Sequence, residues 1–239
     1  MLDLNEEKKF AELKEICQYL KMPAPPEIFI RMQVHDKKGD LVFDNKERGH
    51  SWTRNFWNFM FAMLTTSVGG NSNNFGAGYL SEKSTNGTIR YTSNYGVNGH
   101  NYNPGAGTGF IRQTNTEDAG IVVGTGDTAF SIDQFVLSAV IAHGNNAGQL
   151  YYAAMSPQEP IYTAVSKTWK NIIKRLFNNN SGESITVKET GLYFLGYFFS
   201  SSYEGNMLER SVLASAVNVP NGAQLTVTYE ISMDFSAID

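Results

Sequence analysis

Between residues 161 and 235 apolar and polar side chains alternate with a period of two, and that pattern leaves little room for anything but strands. Leu225, Val227, Tyr229 and Ile231 fall on one face of an extended segment, and Thr226, Thr228, Glu230 and Ser232 on the other. Such alternation marks a half-buried strand. Before it, Val219-Pro220-Asn221-Gly222 is a turn, because proline presets φ and Asn-Gly tolerates positive φ. The expected hairpin partner across that turn is 208–219, with Val212, Val217 and Val219. Trp169, Asn171, Ile173, Arg175 and Phe177 form another alternating set. Asn178-Asn179-Asn180-Ser181-Gly182 breaks it and Ser184-Ile185-Thr186-Val187-Lys188 resumes it, which reads as a second hairpin with a looser turn. Glu189-Thr190-Gly191-Leu192-Tyr193-Phe194 then carries on into an aromatic run ending near Phe199. Short strands separated by turns, with no helical period between them, imply an antiparallel sandwich or barrel of jelly-roll-like form.

The order of these pieces carries a resemblance. Arg175-Leu176-Phe177-Asn178-Asn179 is followed by Ile185-Thr186-Val187, Glu189-Thr190-Gly191-Leu192-Tyr193 and Arg210-Ser211-Val212-Leu213. Pro220-Asn221-Gly222 then leads into Leu225-Thr226-Val227-Thr228-Tyr229. The series resembles the C-terminal half of small β-rich virion proteins of tailed bacteriophages. Gly120-Ile121-Val122-Val123-Gly124-Thr125-Gly126-Asp127 is similar to the same group, so the resemblance covers roughly residues 119–233. It implies a non-enzymatic structural component of the virion, at the capsid surface, neck or tail. Such a protein is assembled in the host cytoplasm and acts as a homo-oligomer docked to other virion structural proteins.

Composition narrows the alternatives. At 239 residues the chain can bury a core without disulfides or metal, and 41% hydrophobic with 13% aromatic residues excludes a disordered chain. A net charge of −4 provides no basic footprint for nucleic acid. The single cysteine, Cys17, cannot form an intrachain disulfide, which fits a reducing cytoplasm. Residues 1–21 are charged throughout and lack the apolar core of a secretory signal. The glycosylation patterns at Asn86 and Asn179 therefore read as coincidental. The longest apolar run, near 52–64, is too short and interrupted for the ~20 residues of a membrane-spanning helix.

Three regions follow in chain order. Residues 1–22 form an amphipathic helical arm with Phe10, Leu13, Cys17 and Leu20 at helical spacing, acidic residues leading and lysines trailing. A Pro-rich linker, 23–26, stops it. Residues 27–239 form a single β-rich domain with a Gly/Asn-rich insertion at 71–118. Within it, 27–34 alternates as a first strand, and Lys38-Gly39-Asp40 turns it into a short second strand at 41–43. Residues 51–66, with Trp52, Phe56, Trp57, Phe59, Met60 and Phe61, read as a helix capped by Ser51 and apolar nearly all round. Such a helix is buried in the core or in a subunit contact. Another turn is expected at 144–148 and another strand at 149–155. Phe10, Leu13, Leu20, Trp52 and Trp57 are the interface candidates by apolar spacing.

No motif announces a reaction, and the expectation is a non-enzyme with no cofactor. Gly124-Thr125-Gly126 has the spacing of a dinucleotide loop after a strand, but the residues that follow are too short and β-like to open the helix such a loop requires. None of His35, His50, His100 and His143 makes a close metal pair with another His or a Cys. Asp118, Asp127, Asp133 and Glu189 are the only carboxylates put forward for sugar hydrolysis, with nothing in their spacing to favour it. A cross-strand ion pair is the expected use of Glu189 and Arg175. The alternative function is a receptor- or glycan-binding module: residues 71–118 are poor in charge and carry Tyr91, Tyr95 and Tyr102, which would contact a host-surface glycan.

Overall fold

The computed structural model describes residues 4–49, 51–62, 80–91, 110, 116–155, 159–198 and 202–238. Within them the chain is mainly β, built from two antiparallel sheets with a shared core and two helices. The first sheet runs β2 (Leu41–Arg48), β1 (Glu27–His35), β12 (Gln224–Asp234), β9 (Thr168–Asn178) and β7 (Tyr151–Tyr152). A short strand, β8 (Ile161–Thr163), pairs with the other end of β9. The second sheet runs β3 (Ser51–Trp52), β11 (Ser202–Val219), β10 (Ile185–Phe198) and β6 (Gly120–Gly124). β4 (Ser81–Lys83) and β5 (Ile89–Tyr91) make a separate hairpin around Asn86-Gly87, with Gly87 at φ +87°. The sandwich expected from the alternation is therefore the architecture found.

The connections differ from the expected ones. β9 pairs with β12 from Asn178↔Gln224 to Thr168↔Asp234, while β10 pairs with β11 from Ile185↔Val219 to Phe198↔Ser202. These four strands are one long antiparallel ladder folded across its middle, so that half lies in each sheet. Neither expected hairpin exists: 169–177 does not pair with 184–188, and 208–219 does not pair with 225–231. Residues 179–184 and 220–223 are corners between the sheets. Asn-Gly and Ser-Gly chemistry reports that a chain reverses, and does so equally well across a core as within a sheet.

The corners are bonded to each other through Asn179, which is fully buried. Its Nδ2 donates to the carbonyls of Glu183 (2.8 Å) and Val219 (2.7 Å), and its Oδ1 accepts from the Ser181 hydroxyl (2.7 Å) and amide (3.1 Å). The Asn179 amide donates to the Ala223 carbonyl at 2.9 Å, and the Gly222 amide returns a bond to the Asn179 carbonyl at 2.7 Å. Gly222 (φ +80°) supplies the left-handed backbone of the second corner. With its amide committed in this way, Asn179 is a structural residue and no carbohydrate acceptor.

Elsewhere the boundaries shift. The first strand buries Ile28, Ile30, Met32 and Val34 as the alternation predicts, and its partner β2 extends well past the expected 41–43. The strand expected over 149–155 shrinks to Tyr151–Tyr152, because the turn before it bridges Leu150 to His143 instead. The N-terminal helix, α1, is Leu4–Tyr19 and has no basic residue in its last turn, contrary to the trailing lysines expected. It ends where Lys21 takes φ +53° and the Met22 amide bonds the Cys17 carbonyl, a left-handed stop ahead of the prolines.

Replacing Asn179 by Ala removes two buried donors and leaves two carbonyls facing an apolar methyl. Each orphaned group costs about 1–3 kcal/mol. Urea unfolding of Asn179→Ala should therefore show a loss of about 2–4 kcal/mol. A loss no larger than a surface substitution would mean that the corners are held by something other than this amide.

Candidate assembly interface

Buried charged side chains of the body hold it together. Glu209 and Arg210 are consecutive on β11 and so point to opposite faces of the second sheet. Arg210 points outward, where its Nε donates to Glu189 Oε2 of β10 at 2.7 Å, both side chains being fully buried. The expected Glu189–Arg175 pair is therefore corrected: those residues lie on strands of different sheets. Arg175 instead donates to the carbonyls of Ala153, Ala119, Ile121 and Thr116, with its guanidinium over the Tyr152 ring. The cover over Glu189 is the loop after β6. Amides of Gly126, Ser138 and Ala139 donate to its carboxylate at 3.2, 3.2 and 2.8 Å. A Cβ at Gly124 or Gly126 would collide with that carboxylate. The Gly-x-Gly spacing thus serves close approach to a side-chain anion, and the backbone after it runs on as loop.

On the inner face, Glu209 meets Tyr229 of the first sheet across the core, Oε2 to Oη at 2.7 Å. Thr190 Oγ1 donates to the Val122 carbonyl (3.1 Å) and lies 3.2 Å from Tyr229 Oη. The Tyr229 hydroxyl gives its hydrogen to the Glu209 carboxyl. Burial pushes the Glu209 carboxyl up to about 8, opposed by its bonds from Ser211 and Tyr229 and by the Arg210 charge. Burial likewise raises Glu82 to about 8. Sequence reasoning passed over Glu209. The signal was present in Glu209-Arg210, since two adjacent charges in a strand covered on both faces cannot both reach water.

Three of the four carboxylates considered for sugar hydrolysis are in different service. Asp127 bonds Lys188 at 2.8 Å, Asp133 pairs with Arg54, and Glu189 is closed off from solvent. Among the described residues no group of three or more His, Cys, Asp or Glu is placed to hold a metal ion, and no described helix is long and apolar enough to cross a membrane.

The surface is where unused chemistry lies. α1 is clamped to the body at Arg48 of β2, whose guanidinium bonds Glu7 twice at 2.9 Å and Glu27 at 3.0 Å. It is also sandwiched by the rings of Phe10 and Phe29 at 4.3 and 4.7 Å. Lys14 adds an ion pair to Glu27. Phe10 and Cys17 therefore face the body, while Leu13 (37% exposed), Ile16 (55%) and Leu20 (55%) form a stripe turned to water. The second helix, α2 (Arg54–Ala62), reverses the expected arrangement. Its buried side chain is polar: Asn55 donates to the Lys83 and Met207 carbonyls and accepts from the Lys83 amide, stitching β4 to β11. Trp57, Met60 and Phe61 are exposed, so the helix is not sealed on every side. Ser51 is no cap, because it pairs with Arg210 in β3; Thr53 precedes the helix with its hydroxyl bonded to β11. Trp52 lies partly buried, stacked on Phe56 at 3.8 Å.

Of the tyrosines considered for glycan contact, Tyr91 closes β5 opposite Ser81, and Tyr95 and Tyr102 lie outside the described residues. Compared with known proteins, the chain matches no family model, no curated protein and no solved structure.

Glu209 and Glu82 impose a direction on the pH dependence of stability. Their folded-state affinity for protons exceeds that of the unfolded chain, so the stability they contribute is complete below about pH 4.5 and is lost as pH rises towards 8. Urea midpoints should therefore fall between pH 5 and pH 8, by a loss on the order of a few kcal/mol. Glu209→Gln, which keeps an acceptor for Tyr229, should flatten that fall. An unchanged pH profile in Glu209→Gln would remove Glu209 as its source.

Proposed function

We propose that this chain is a non-enzymatic structural component of a tailed-phage virion, working by self-assembly and by docking to neighbouring virion proteins. The observation that carries the reading is the stripe of Leu13, Ile16 and Leu20 on α1. The helix is anchored to its own body by Arg48 and Lys14, by Phe10 and the buried Cys17, and by packing on the C-terminal turn 236–238, which leaves Leu13, Ile16 and Leu20 for a neighbour. Exposed Trp57, Met60 and Phe61 on α2 offer a second aromatic anchor of the kind enriched at interface centres. A body whose buried acids and bases are spent on corners, loop cover and core suits a protein whose output is shape. The order of motifs over 119–233 supplies the virion context, and the partner on α1 is then a neighbouring subunit of the particle.

Mass spectrometry of purified particles tests this directly: the protein should be present, in a copy number fixed relative to the major capsid protein. A number close to that of the capsid protein assigns surface decoration, and a small ring-like number assigns the neck or tail. Absence from particles overturns the reading. Leu13→Ser combined with Leu20→Ser should leave the thermal midpoint close to that of the parent, since both side chains are already exposed. Incorporation into particles should nevertheless fall several-fold; normal incorporation would dismiss α1 as the docking element.

A further inference from the structure

We propose that α1 is a latched arm, which swings off the body about residues 20–26 while the sandwich stays folded, and that Arg48 is its latch. The inference goes beyond the assembly reading and does not depend on it.

The face that α1 turns to the body is poorly suited to permanent burial. Between Glu7 and Tyr19 the only buried residue is Cys17, and Glu7, Phe10 and Lys14 are half-buried. These four recur at helical spacing and form one face, of which two members are charged. Leu13, Ile16 and Leu20 stand exposed instead. A helix built into a core does the opposite, burying its apolar stripe and wetting its charges. The core shared by the two sheets contains no described side chain of α1.

The attachment is made by side chains. Among the described residues no backbone hydrogen bond joins 4–26 to the body: the amides of Leu20, Lys21 and Met22 bond back to Ile16, Gln18 and Cys17. Pro23, Pro25 and Pro26 carry no N–H, so the linker can move without orphaning a donor there. What holds the helix is Glu7 on Arg48 (two bonds of 2.9 Å), Lys14 on Glu27, Phe10 over Arg48 and the buried Cys17. Packing on the turn Ser236–Ile238 adds to these, and that turn has no buried residue of its own.

Arg48 makes the opening local. Its guanidinium gathers Glu7 from α1 and Glu27 from β1, and it lies over the Phe29 ring as well. When Glu7 leaves for water, Arg48 keeps Glu27 and Phe29, so departure of the helix strands no buried charge. The fully buried Glu189–Arg210 pair has no such exit. Added salt weakens a partly exposed ion pair far more than a buried one, so ionic strength moves the balance between latched and released α1.

Cys17 is the chain's single cysteine and lies on the docked face, so the rate at which dithiodipyridine labels it in the folded full chain reads release. Glu7→Gln should speed labelling about tenfold, with an unchanged thermal midpoint. In the parent, raising sodium chloride from about 0.05 M to about 1 M should speed labelling several-fold, and Glu7→Gln should lose most of that response. Asn179→Ala, which weakens the corners and touches no residue of α1, should leave the rate unchanged. A rate that rises in Asn179→Ala in proportion to its loss of global stability overturns the proposal, because Cys17 would then be reached only by unfolding the whole sandwich. Labelling that ignores Glu7→Gln also overturns it, by removing Arg48 as the latch. So does a thermal midpoint that falls in Glu7→Gln as far as in Asn179→Ala, since helix and sandwich would then melt as one.

Discussion

Once β10 carries the Glu189 carboxylate out of water, each of its oxygens must be met by donors, and much of the second sheet is arranged to do so. Arg210 supplies the charge from the neighbouring strand, and three loop amides and the Ser138 hydroxyl supply the rest. A pair of this kind adds little net stability over apolar residues of the same volume, yet losing one partner strands a buried charge at several kcal/mol. Its effect is thus to specify. The segment after β6 has one place to go, and Gly124 and Gly126 are required there because the backbone lies against the carboxylate.

The same logic, applied to neutral groups, turns one ladder into two sheets. A continuous pairing of β9 with β12 and of β10 with β11 would otherwise be an over-long ribbon with one face wet. Folding it at Asn179 and Gly222 sets Phe177, Leu225 and Val227 against Val187, Leu192 and Val217 in a common core. The backbone groups freed at the bend are recovered by the Asn179 side chain and by bonds from one corner to the other. Glu209 and Tyr229 then meet across the interior, joining the halves where hydrocarbon alone would let them slide.

The strands were legible in the sequence because burial on one face imposes a period of two, and Leu225, Val227, Tyr229 and Ile231 are all inward. Pairing was not legible. Asn-Gly and Ser-Gly turns are short enough to close a hairpin, and nothing in a local pattern tells a hairpin from a corner. The misreading of Glu189 has the same origin: Arg175 is a sensible partner only if β9 and β10 share a sheet. On α2, aromatic residues implied burial on every side, whereas the buried position went to Asn55. Backbone carbonyls of two strands converge there, and an amide satisfies both where an apolar side chain would satisfy neither. The apolar spacing on α1 was legible, but spacing cannot say which part of a stripe meets its own domain. That division follows from where Arg48 sits.

Arg48 ties the edge strand β2 to the helix α1. It belongs to the open edge strand, yet its guanidinium is enclosed by Phe10 of α1 and Phe29 of β1 and bonded to carboxylates from both. A contact that orders the end of β2 therefore also fixes α1, and with it the direction in which Leu13, Ile16 and Leu20 face. Without Arg48 the helix would keep Lys14–Glu27 and its packing on the C-terminal turn 236–238, and would lose its one tie to β2. The strand and the helix are in this way coupled through one side chain.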